Sequence, residues 1–81
     1  MVVNYFTFGC GQMFKNHYVI IEAKDSNRCR ELMVDAFGTH WSMQYDKEPS
    51  GKWGEKPLMH IVESEHGERT VEIYAATIVH R

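Results

Sequence analysis

DSNRCRELMVDAFG, residues 25–38, decides how the chain is read. Cys29, Leu32, Met33, Ala36 and Phe37 fall at i, i+3, i+4, i+7 and i+8. At about 100° per residue these positions lie on one stripe of a helix. Arg28, Arg30, Glu31 and Asp35 stand outside it. Asp25 and Ser26 are suited to cap the start, and Gly38 follows the last apolar residue as a helix-ending glycine does. The spacing predicts a helix over 26–37, with one face to bury.

Outward from the helix the period changes to two. Upstream, HYVIIEA (17–23) is apolar on both faces, with Tyr18 and Ile20 on one and Val19, Ile21 and Ala23 on the other. That pattern predicts a central, covered strand. VVNYFTF (2–8) is rich in β-branched and aromatic residues and ends at Gly9, so it reads as another strand. A short Gly-containing loop joins the two, which predicts an antiparallel hairpin. Downstream, HWSMQY (40–45) places Trp41, Met43 and Tyr45 one way and Ser42 and Gln44 the other, the alternation of a half-buried strand. Residues 46–57 hold both prolines and two glycines among charges and read as the longest loop. Residues 58–64 and 69–79 flank a turn in which Gly67 is free to take positive φ. The expected fold is α+β over residues 1–81, in the order β-β-α-β-β-β. Its sheet is mainly antiparallel, with one helix across a face.

Composition narrows the function classes. Eighty-one residues make one domain with a small core. Ten aromatic residues suit such a core; Phe6, Phe8, Tyr18, Phe37 and Trp41 fit it best. Nine basic residues against eleven acidic ones give a net charge of −2, which argues against a general nucleic-acid binder. No apolar run reaches the roughly 20 residues of a membrane span, and no leader pattern opens the chain. The expected location is therefore the cytoplasm. Two cysteines, Cys10 and Cys29, are too few for a disulfide scaffold.

Four constellations bear on chemistry. Gly9, Cys10, Gly11 and Gln12 make a Gly-rich turn whose backbone amides could hold an anionic or nucleotide group. The turn lacks both nucleotide-binding fingerprints, so a bulge or positive φ at a strand end is the simpler expectation. Cys10 is a candidate nucleophile with His17 across the hairpin, but no third orienting group accompanies them. The five histidines and two cysteines show no metal-ligand spacing, and no metal or cofactor is expected. A cross-strand pair of His60 with Glu72 stays open. Glu63, Glu65, Glu68 and Glu72 gather around the second hairpin as an acidic edge, suited to a basic partner. Trp53, set in the polar loop, is either folded back as a lid or a partner contact.

NYFTFGCGQ at 4–12, YVIIEA at 18–23, RELM at 30–33, FGTHW at 37–41 and QY at 44–45 resemble a family of small uncharacterised proteins of bacteriophages and prophages. The likeness covers roughly the first 45 residues. It implies a phage or prophage origin and brings no catalytic residues. Cys29 stands where that pattern leads one to expect alanine, which suggests packing. By analogy of origin, the resemblance implies a protein that binds and blocks host machinery, including CRISPR-type defence complexes. The expected reading is a non-enzymatic interaction module whose partner is a host or defence protein. Its contacts would be Trp53, Glu63, Glu65, Glu68 and Glu72. The alternative is a small-ligand module at Gly9–Gln12. Open sheet edges would also allow a homodimer.

Overall fold

A computed structural model describes residues 1–9, 11, 12, 14, 16–49 and 56–74. In chain order it holds strands β1 (Val2–Thr7) and β2 (His17–Ala23), helix α1 (Ser26–Phe37), and strands β3 (Met43–Tyr45), β4 (Lys56–Glu63) and β5 (Arg69–Ile73). The expected α+β architecture is present. The sheet order is β3-β1-β2-β4-β5. Apolar on both faces, β2 takes the centre. Three of the four pairings are antiparallel, and β2 with β4 is parallel. β5 covers the first part of the stretch expected as a strand over 69–79. Residues 75–79 lie outside the described residues, as do Cys10 and Trp53.

The helix ends follow from local chemistry. Asp25 is extended, and its carboxylate accepts from the Arg28 N–H at 2.8 Å. This satisfies one of the amides that a helix start leaves without a partner. Gly38 has φ +63° and donates its N–H to the Val34 carbonyl at 2.7 Å. A left-handed φ is strained for any residue with a Cβ, so glycine ends the helix here. Cys29, Leu32 and Met33 are buried against Phe6, Phe8, Val19, Ile21 and Ala23 of the hairpin and its end. Phe37 packs at the margin of this core, whereas Ala36 is exposed. The Cys29 Sγ donates to the Ile21 carbonyl at 3.4 Å, and burial pushes its thiol pKa up. A thiol so placed is a packing group rather than a nucleophile.

β4 joins the core with one irregularity. Its register against β2 shifts between Tyr18 and Val19. The extra residue lets consecutive Leu58 and Met59 both pack on the core cluster. The β4–β5 turn closes through Ser64 N–H to the Glu68 carbonyl at 2.8 Å, and Gly67 takes φ +86° as expected.

Two expectations need correction. The alternation in HWSMQY suggested Met43 and Tyr45 as inward residues, yet they are 52% and 40% exposed. Gln44 is the half-buried member of β3. The reason lies in β1, where Asn4 occupies an inward position and is 3% exposed. Its Oδ1 needs a donor, and the Gln44 Nε2 supplies it. Trp41 reaches the core before the strand starts, its ring edge-to-face with Phe6 at 5.1 Å.

The second correction concerns the acidic edge. Glu65, Glu68 and Glu72 are exposed, but Glu63 is buried and points at the helix. Both of its oxygens accept from Arg28, from Nε and Nη2, each at 2.7 Å. This fork holds the Glu63 pKa below the ordinary value of 4.5. A carboxyl depressed in the folded state contributes stability above the unfolded value, and loses it as pH falls through the folded one. Unfolding midpoints are therefore expected to fall below pH 4.5. In Glu63→Gln that part of the fall should be absent. Parallel pH profiles for the two proteins would show that the fork adds nothing to stability.

Candidate functional site

The Gly9–Gln12 turn closes on itself. The Gln12 N–H donates to the Gly9 carbonyl at 3.0 Å. The Gln12 side-chain oxygen in turn accepts from the Gly9 N–H and from the Ser42 hydroxyl, the latter at 3.2 Å. The Gly9 amide that would have faced an anion is thus already engaged. Neither Gly9 nor Gly11 takes positive φ, which was one of the two roles expected of them. Gly9 is favoured by proximity instead, because a Cβ there would lie 2.7 Å from the Ser42 Oγ, which would have to turn away. Gly11 faces open space. Gly9→Ala is expected to cost about 1 kcal/mol, through a displaced Ser42 rotamer and a weakened Gln12 contact. Gly11→Ala should be close to neutral. Equal melting temperatures for the two variants would contradict this account.

Beside the turn lies an apolar hollow of about 650 Å³, lined by Gly11, Gln12, Phe14, Ala36, Phe37 and His40 among others. Phe14 and Phe37 form its aromatic wall and pack on the buried Phe8 behind them, the three centroids 5.5–6.1 Å apart.

The larger concavity is a groove of about 780 Å³ between α1 and the β3 edge. Asn4 and Gln44 line it, and Gln44 also donates to the Ser26 carbonyl at 3.1 Å, tying β3 to the helix start. Asn27, Arg30 and Val34 line it from α1, and Trp41 from the connecting segment. The Trp41 ring is fixed by Phe6 and by its own Nε1, which donates to the Gly38 carbonyl at 2.9 Å. Arg30 sits over that ring, its guanidinium carbon 5.4 Å from the centroid. The described ion pairs join Arg28 to Glu31 and Glu63, His60 to Glu22, and Arg69 to Asp35. Arg30 belongs to none of them. An aromatic platform orients its guanidinium without neutralising it.

Other titratable groups are structurally committed. The β4–β5 register does set His60 opposite Glu72, but the His60 Nε2 lies 2.8 Å from the Glu22 carboxylate on β2. The Tyr18 hydroxyl donates to Glu48 at 2.8 Å. Burial first, then that carboxylate, pushes its pKa up to about 12, so it remains a proton donor. Among the described residues, no group of three His, Cys, Asp or Glu side chains could hold a metal ion. No helix among them is long and apolar enough to cross a membrane.

The sequence reading did not single out Arg30, Asn4 or Gln44. The available signal was Asn4, a polar residue at an inward position of an apolar strand. Such a residue calls for a partner elsewhere in the chain. No family model, curated protein or solved structure matches this chain.

Proposed function

We propose that this chain is a small accessory protein of phage or prophage origin. It works in the cytoplasm of a bacterial host, without catalysis, by gripping a host or defence protein. CRISPR-type complexes are the class its resemblance favours. The observation that carries the reading is the open groove between α1 and β3, with a cation held on an aromatic ring and a sheet edge alongside. Arg and Trp are the residue types that dominate protein-binding hot spots. Exposed Glu65, Glu68 and Glu72 add a surface of the opposite sign on the other hairpin, suited to steering a basic partner. Trp53 remains a proposed contact.

The test is affinity capture from bacterial lysate, paired with a phage-plating assay in cells carrying an active CRISPR system. A discrete protein retained by the wild-type chain, and interference relieved by its expression, is the expected result. Capture of nothing above background would end the binding reading. Unaltered plating would end the inhibitory one.

A second reading is supported by the hollow beside Gly11 and Gln12. Its aromatic lining suits a ligand with an apolar body, held at one end by Gln12 or His40. Calorimetry against nucleotides and small aromatic acids tests it. The absence of both heat and a melting shift would sink it.

A further inference from the structure

We infer that the groove takes an extended peptide segment of the partner, which adds to β3 as a further strand and presents a carboxylate to Arg30. The inference rests on the protein-binding reading above. β3 pairs with β1 on one side only, and it ends the sheet order. An edge strand turns half of its backbone donors and acceptors away from its neighbour, and an incoming strand can meet them. The groove lies beside this edge, so alternate side chains of that strand would point into it.

The walls then state what those side chains should be. Arg30 is the basic residue in the lining and Asp46 the acidic one, and Arg30 has no carboxylate partner among the described residues. Val34, one helical turn further, is 45% exposed. Residues four apart on a helix are separated by about 6 Å along its axis. Same-face residues of a strand are about 6.6 Å apart. An acidic residue with an apolar one two places away therefore matches Arg30 and Val34 together. The exposed Met43 and Tyr45 sit on the edge strand itself and offer apolar contact to the intervening residue. One cation in the lining, with Asp46 also present and a net charge of −2 on the chain, disfavours a nucleic-acid strand, which needs a concentrated basic face, and matches a peptide that brings a single carboxylate.

The experiment is amide NMR titration with short synthetic peptides of β-branched residues that carry Glu-x-Leu or Lys-x-Leu at the centre. The Glu-x-Leu peptide is expected to shift the amides of residues 42–46, the Trp41 indole N–H and the Arg30 Nε–H. Arg30→Glu should weaken its binding about 10- to 100-fold, the value of one charge-assisted hydrogen bond. The same variant should bind the Lys-x-Leu peptide better than the wild type does. Three outcomes overturn the groove assignment. The first is binding insensitive to Arg30→Glu. The second is a set of shifts that avoids residues 42–46. The third is a single-stranded oligonucleotide that moves these resonances when the acidic peptide does not. All three leave the protein-binding reading standing; that reading falls instead if the wild-type chain captures no host protein.

Discussion

Phe8→Ala is expected to lower the free energy of unfolding by about 3–5 kcal/mol. Phe8 is 1% exposed and touches two further rings, Phe14 at 5.6 Å and Phe37 at 5.5 Å. Those rings come from the segment before β2 and from the end of α1, so the three tie the helix to the hairpin. Truncation would leave a cavity bounded by a backbone turn and a helix terminus, which cannot close far. A domain of this length has roughly 4–12 kcal/mol of stability in total. The variant should therefore lose a large share of its stability, with a much lower urea midpoint, while Phe8→Leu should lose only about 1 kcal/mol. Urea titration followed by tryptophan fluorescence measures both. A midpoint for Phe8→Ala close to that of Phe8→Leu would remove the ring cluster as the anchor of the helix.

Gln44→Leu is expected to cost about 1–3 kcal/mol, although Gln44 belongs to an edge strand. The cost arises at its partner. Asn4 is 3% exposed, and without Gln44 its Oδ1 is left with no donor. A buried acceptor without a partner carries its full desolvation penalty. Replacing both residues by leucine removes donor and acceptor together, so Asn4→Leu with Gln44→Leu should recover most of the loss. The double-mutant cycle is the measurement, with a coupling of about 1 kcal/mol or more expected. Additive effects would mean that the pair does not set the register of β3.

These two sites mark where the sequence could be read and where it could not. Helix α1 was legible to its ends because capping, stripe and stop signal all lie within fourteen contiguous residues. β1, β2 and the turn at Gly67 were legible for the same reason. β3 was not, because alternation shows that two faces differ but not which is covered. The Asn4–Gln44 bond, made across 40 positions, decides it. Glu63 was misplaced in the same way: its partner Arg28 lies 35 positions away. The groove combines α1, β1 and β3, and no local pattern announces it. Arg30 looked like an ordinary solvated helix charge until Trp41 was found beneath it.

The parallel joint between β2 and β4 has a consequence for the order in which the chain folds. β1–β2 and β4–β5 are hairpins, each formed by neighbours in sequence. Pairing Val19 with Met59 and Ile21 with Ile61 instead closes a loop of about 40 residues, and α1 and β3 lie inside that loop. Loop closure of that length carries an entropy cost that must be met before its contacts form. The hairpins can therefore form early, and the joint completes the domain. Once closed, the β2–β4 seam is the most closely packed strand pair of the sheet, with Leu58 and Ile61 entering the core, so it locks the two hairpins into one cooperative unit.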